Sequence, residues 1–286
     1  MKLLSLERSG NPLVATLTVR SNPNHKEILM GRRSDSIFTP AFAALFVLVT
    51  LTASGVSLAA EPGEWIELFN GKDLTGWRFQ ERAKNSRWTV GTAALDPQDP
   101  RKLIATPGGK DLINLVEPQR VISGHSNGVD IFTEAKFGDA VVEVEVMMAK
   151  ASNSGVYLMG EYEIQVMDSF GAAPDPKGMG GIYGVAAPKA NPSKKPGEWQ
   201  KYVIEYRAPK FDAHGNKTAN ARIVKVTLNG TVIHENVELP HALNGGLTTG
   251  GKNVRGKEAP LGPLMFQGNH GPVAYRNIRI KPLPAR

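Results

Sequence analysis

Ala140-Val141-Val142-Glu143-Val144-Glu145-Val146-Met147-Met148 alternates apolar and charged side chains with a period of two. Val142, Val144, Val146 and Met148 fall on one face, and Glu143 and Glu145 on the other. That is the pattern of a β-strand with a buried face and a solvated one. Outward from this stretch the pattern recurs in short runs. Residues 64–69 and 87–91 read as strands on the N-terminal side, and 155–159 and 161–168 as two strands about a bend at Gly160. Residues 199–207 form another. Residues 223–228 and 231–236 flank Asn229-Gly230, a pair that favours the left-handed conformations of a type I′ hairpin. Residues 264–267 and 273–281 close the chain. No helical period appears after Glu61. Many short strands separated by turns predict an all-β sandwich or barrel, and a jelly-roll sandwich of two antiparallel sheets leaves one sheet face free to curve around a ligand.

The composition agrees. In 286 residues there are 30 glycines and 20 prolines, as many turns require, and 41% hydrophobic residues, enough for a large core. The absence of cysteine excludes disulfides, thiolate catalysis and zinc–cysteine sites. Of the net charge of +7, residues 1–60 hold six Lys/Arg and three acids, which leaves +4 on the remainder. That balance does not call for a nucleic-acid partner.

Residues 38–60, FTPAFAALFVLVTLTASGVSLAA, are apolar and follow Arg32-Arg33, with small residues at Ser57 and Ala59 suited to cleavage after Ala59 or Ala60. This is the layout of a secretory signal peptide, removed on export. Met30 opens a compact basic segment, MGRRSDSIF. Residues 1–29 are therefore expected to be a mis-assigned upstream extension, 30–60 the signal peptide and 61–286 a single β-sandwich domain. Export places the mature domain in the periplasm or outside the cell, with no stable membrane insertion.

Gly124-His125-Ser126-Asn127-Gly128 matches the G-x-S-x-G pattern of α/β hydrolases, but that motif works only between a strand and a helix. Here Val129-Asp130-Ile131-Phe132 follows, which reads as strand or loop, so a Gly/Ser/Asn loop is preferred.

Chemistry concentrates in Tyr162-Glu163-Ile164-Gln165-Val166-Met167-Asp168. Tyr162, Ile164 and Val166 alternate toward a core, which sets Glu163 and Gln165 together on the opposite face. A carboxylate and an amide on one open face offer acceptors and donors to sugar hydroxyls, and the carboxylate can also move a proton. The spacing alone fits a plain polar face as well. Tyr157 and Tyr183 are candidates for flat ligand contacts, Tyr183 because it lies in a glycine-rich loop; Trp77 and Trp199 read as core. His270, in the turn Gln267-Gly268-Asn269-His270-Gly271, is a candidate acid or base. Two long loops, 171–197 and 241–262, are candidates for binding.

Taken in order, several segments resemble the 3-keto-disaccharide hydrolase domain family. They are Leu68-Phe69-Asn70-Gly71-Lys72-Asp73-Leu74-Thr75-Gly76-Trp77, Trp88-Thr89-Val90, Asn153-Ser154-Gly155-Val156-Tyr157, the Tyr162–Asp168 run, Gly181-Ile182-Tyr183-Gly184, Gly197-Glu198-Trp199, Leu228-Asn229-Gly230 and the stretch 262–281. The resemblance covers residues 64–281. It implies a concanavalin A-like fold, an exported bacterial protein and a carbohydrate partner, an oxidised disaccharide or glycoside. The turn before His270 departs from the more acidic one common in the family. The implied reaction removes the proton on carbon 2 of a 3-keto sugar, expels the group on carbon 1 and adds water. Glu163 or His270 would act as base. Gln165, Arg276 or a divalent ion would stabilise the enolate, and Asn153, Tyr157, Tyr183 and Gln267 would bind the sugar. Asp168 is either a ligand for such an ion or a plain strand-end acid. Two other readings stay open: a glycosidase with paired carboxylates, Glu163 with Asp168 or Glu161, and a lectin-like module without turnover.

Overall fold

The computed structural model describes residues 63–80, 83–118, 128–250 and 252–284. The expected leader, the start at Met30 and most of the G-x-S-x-G stretch lie outside the described residues. The described strands are β1 (Ile66–Glu67), β2 (Trp77–Phe79), β3 (Trp88–Leu95), β4 (Leu103–Asn114), β5 (Ile131–Thr133), β6 (Ala140–Met148), β7 (Asn153–Leu158) and β8 (Tyr162–Met167), followed by β9 (Gln200–Arg207), β10 (Lys210–Phe211), β11 (Lys217–Ala219), β12 (Ala221–Leu228), β13 (Thr231–Leu239), β14 (Met265–Phe266) and β15 (Val273–Pro282). Two short 3-10 turns are the only helical elements among the described residues, and no described helix is long and apolar enough to cross a membrane. Gly128 leads into strand β5, with no helix following, so the context a nucleophile elbow needs is missing.

The strands form two antiparallel sheets. The large sheet runs β13-β12-β9-β6-β15-β4-β3, with β1 beside β15; the small sheet runs β2-β5-β14-β7-β8; β10 and β11 make a separate pair. This is an all-β, lectin- or jelly-roll-like architecture. Strand β6 lies at the centre of the large sheet with the bounds its alternation predicts. Val142, Val144 and Val146 are fully buried against Val156, Ile164, Val166 and Phe266 of the small sheet. Glu143 and Glu145 sit on the outer face, where they are half-buried and paired rather than merely solvated. Glu143 meets Arg279 at 2.6 Å and Lys201 at 3.2 Å, and Glu145 meets Arg276 at 2.8 Å.

Local chemistry sets the turns. Asn229 and Gly230 have φ of 52° and 83°, the left-handed pair that a two-residue hairpin between Leu228 and Thr231 requires. Met159 and Gly160 take φ of 55° and 72° at the tip of the β7–β8 hairpin. Strand β4 is not apparent in the sequence, because Pro107-Gly108-Gly109 breaks its apolar pattern; besides Leu103 at its start, only its last residues, Asp111 to Asn114, are buried. Trp77 is core, stacked on Phe266 at 5.4 Å. Trp199 is not: it lies partly buried on the outer face of the large sheet, beneath the Arg276 guanidinium at 4.0 Å.

Candidate active site

Strand β8 is the last strand of the small sheet, and the 171–197 loop covers its free edge. Gln165 N–H donates to Gly181 O at 2.8 Å, Gly180 N–H to Gln165 O at 2.9 Å, and Tyr183 N–H to Glu163 O at 3.2 Å. The loop thus behaves as one more strand and brings Tyr183 beside Glu163. On the neighbouring strand, Asn153, Gly155 and Tyr157 share the outward face, with Tyr157 opposite Glu163 and Gly155 opposite Gln165. These faces line a cavity of about 240 Å³. Asn153, Tyr157, Glu163, Gln165, Tyr183, Gln267 and His270, scattered over more than a hundred residues of sequence, meet there. Asp130, Asn244, Gly245, Asn253 and Asn269 complete the lining.

Glu163 is 3% exposed. Burial, together with the negative charge of Asp130 and against a hydrogen bond from Tyr157, pushes its carboxyl up to about 8. It therefore carries its proton at neutral pH. Burial and the same carboxyl raise the Tyr157 hydroxyl well above its usual range, so Tyr157 stays a donor. The Gln267 amide donates from Nε2 to Tyr157 Oη at 3.3 Å, and its Oε1 has no hydrogen-bond partner among the described residues; nor has the buried Oδ1 of Asn153. Buried acceptors of this kind are costly unless something donates to them. Gln165 is tied down, donating from Nε2 to Lys177 O at 3.0 Å. Asp130 Oδ1 accepts from Gly268 N–H at 2.8 Å. Nδ1 of His270 lies against Asn269 Oδ1. That oxygen can only accept, so the contact is a hydrogen bond when Nδ1 carries the ring proton.

Gly155 is what lets the Glu163 carboxyl lie over the sheet. A Cβ there would come within 2.4 Å of Glu163 Oε1 and 2.8 Å of the Tyr157 ring. Gly155→Ala is expected to displace the carboxyl and lower turnover about a hundredfold. Steady-state kinetics, with circular dichroism to verify the fold, check it.

Two expected site residues lie elsewhere. Arg276 follows the core residue Tyr275, so alternation sends it to the outer face of the large sheet. There its Nε donates to Glu145 Oε2 at 2.8 Å, on the side of the sandwich away from the cavity. Arg276→Ala should leave kcat and KM unchanged, which the same assay tests. Asp168 lies just past the end of β8, where its parity turns it from the cavity face; its Oδ2 accepts from Ala151 N–H at 2.8 Å and steadies the β6–β7 turn. No group of three or more His, Asp or Glu placed to hold a metal occurs among the described residues. Glu161 lines a separate, neighbouring cavity, so neither acid considered as a second carboxylate shares the space with Glu163. The acid that does is Asp130. A charged residue inside the apolar run Val129–Phe132 was the available signal for it.

A two-sheet antiparallel sandwich with a polar, carboxyl-bearing cavity on its small sheet defines a carbohydrate-active domain of the lectin-like class. The family model for 3-keto-alpha-glucoside-1,2-lyase-like domains matches residues 64–281, and the chain belongs to that family. Among solved structures, a candidate glycosyl hydrolase from Parabacteroides distasonis ATCC 8503 is 24% identical, with a TM-score of 0.54 over 86% of this chain and 100% of that one. A second candidate glycosyl hydrolase from the same organism is 18% identical, with a TM-score of 0.51 over 78% of this chain and 94% of that one. These likenesses concern the fold. A search of curated proteins gives no match.

Proposed function

We propose that this is an exported enzyme that cleaves 3-keto-glycosides by elimination followed by hydration, with net hydrolysis. The observation that carries the reading is Glu163, a buried carboxyl in the polar cavity beside acceptors on Asn153 and Gln267 that have no hydrogen-bond partner among the described residues. A ketone at carbon 3 acidifies the proton on carbon 2. His270, through Nε2, removes that proton. Glu163, whose other contact is a hydrogen bond from Tyr157, gives its own proton to the departing oxygen on carbon 1. Asn153 Oδ1 and Gln267 Oε1 accept from ring hydroxyls, and Tyr183 lies against the sugar. The enolate oxygen is stabilised by donors of the cavity wall, with Asn244 and Asn253 placed to contribute. This assignment gives the acid to Glu163 and the base to His270, where the residue pattern left both as bases. The apolar stretch 38–60 behind Arg32-Arg33 supports export to the periplasm or beyond.

Asp130 beside Glu163 favours one competitor, a plain glycosidase with two carboxylates. One assay separates them. Purified protein should release glucose from a 3-keto-disaccharide and leave the unoxidised disaccharide intact. Equal release from both would establish the glycosidase, and binding without release would establish a lectin-like module.

A further inference from the structure

Glu161 stands just before strand β8, two residues from Glu163. It is 4% exposed, and it is tied to the 243–256 segment at several points. Leu243 N–H donates to its main-chain oxygen at 3.0 Å. Thr248 N–H donates to its Oε1 at 2.9 Å, and the Thr248 hydroxyl bonds the same carboxyl. Its Oε2 has no hydrogen-bond partner among the described residues. That oxygen is wrapped by two glycines instead: a Cβ on Gly256 would come within 1.6 Å of it, and one on Gly246 within 2.3 Å. The segment also closes on itself, with Gly256 N–H donating to Leu243 O at 3.2 Å and Gly245 N–H to Val254 O at 3.3 Å. Its 3-10 turn is thus bonded to the Glu161 side chain through Thr248 and to Gly160 O through Leu247 N–H at 2.7 Å, and its neck is bonded to the Glu161 main chain and packed on the side chain through Gly256. Between them lie Asn244, Gly245 and Asn253, which wall the main cavity although they belong to neither sheet.

We infer that Glu161 is a positioning residue that pins the 243–256 segment to the catalytic strand and so fixes the sugar-facing wall made by Asn244, Gly245 and Asn253. The inference rests on the reading of that cavity as the sugar site. Glu161 touches no sugar itself. It acts by holding the wall in the geometry that binds, so its loss weakens binding more than it slows the bond-breaking step.

Four proteins test it: Glu161→Ala, Glu161→Gln, Gly256→Ala and the double variant Glu161→Ala/Gly256→Ala. Amide hydrogen exchange is read without sugar, and kinetics are read on methyl 3-keto-α-glucoside. Glu161→Ala should speed exchange most at Thr248, whose amide loses its acceptor, while β6 and β9 keep their protection, and should raise KM about tenfold with kcat changed much less. Glu161→Gln keeps the Oε1 acceptor and should stay near wild type. Gly256→Ala strikes Oε2 and should match Glu161→Ala. Added to Glu161→Ala it should cost much less than it does alone, because the closest atom it strikes is gone and only Thr248 Oγ1, at 2.9 Å, is left in its way. Uniform loss of protection across the domain, an unchanged KM in Glu161→Ala, or a Gly256→Ala penalty that persists undiminished in the double variant would each overturn the inference. If the wild-type protein does not turn over the glucoside, it is the proposed function that fails; the exchange data and the Gly256 coupling still decide whether Glu161 pins the segment.

Discussion

Glu163→Gln is expected to lower turnover of a 3-keto-glycoside about a thousandfold, as losing a positioned general acid does, and at the same time to make the folded protein more stable at high pH. Both effects have one cause. The folded protein holds the Glu163 proton up to about 8, whereas an unfolded chain releases it near 4.5. Between those values the native state binds more protons than the unfolded one, so native stability falls as pH rises through the window and levels off above it. At about 1.4 kcal/mol per pH unit, the full effect amounts to several kcal/mol. Glutamine has no proton to lose. Its advantage over wild type should be absent near pH 4, grow through the window and level off above pH 8. Wild-type turnover, which needs the protonated acid, should fall as pH rises through about 8. Urea unfolding at a series of pH values, with a pH–rate profile, checks both halves. A variant that loses activity yet gains nothing in stability would mean that the carboxyl is charged in the folded protein.

The largest effect on stability alone is expected from Phe266→Ala. Phe266 is fully buried in β14, between β5 and β7, with its ring stacked on Tyr275 at 3.9 Å and on Trp77 at 5.4 Å. Truncation removes a large apolar side chain and leaves a hole that stiff neighbouring strands cannot fill, a change that costs about 3–5 kcal/mol. The same cluster holds the sheets in register. The Tyr275 hydroxyl of the large sheet meets Ser154 Oγ of the small sheet at 2.7 Å, and Ser154 Oγ also donates to Gln267 O at 2.7 Å. Since Ser154 adjoins Asn153 and Gly155, the loss should also loosen the cavity floor. The drop in the urea midpoint at constant slope measures the first effect, and a raised KM the second.

What could be read from the residues alone follows from the range of the interactions involved. The alternation in Ala140–Met148 and the Asn229-Gly230 pair are local signals, and the strands match them. The shared face of Glu163 and Gln165 is local too, which is why the core of the cavity was legible. Parity also contained the position of Arg276: a core Tyr275 sends the next side chain outward. Strand β4 was hidden by Pro107-Gly108-Gly109, which a long strand tolerates where its residues are exposed. Asp130 and the loop residues Asn244 and Asn253 were hidden for a different reason. Their places depend on contacts distant in sequence, the Gly268 amide for Asp130 and the Glu161 carboxyl for the 243–256 segment. No local pattern carries that information.

The central claim is that the cavity removes the carbon-2 proton before the glycosidic bond is lost for good. A 3-keto-glucoside carrying deuterium on carbon 2, turned over in ordinary water, puts it to the test, with the deuterium of the released keto sugar followed by mass spectrometry from the earliest turnovers and a no-enzyme control for background exchange. Elimination breaks the carbon–deuterium bond, so aglycone release should be slower from the deuterated sugar, and deuterium should be lost from carbon 2 to the extent that the base exchanges with water before hydration returns a proton. Release with the deuterium fully retained and with no isotope effect on its rate would contradict the account and place the chemistry at carbon 1 alone.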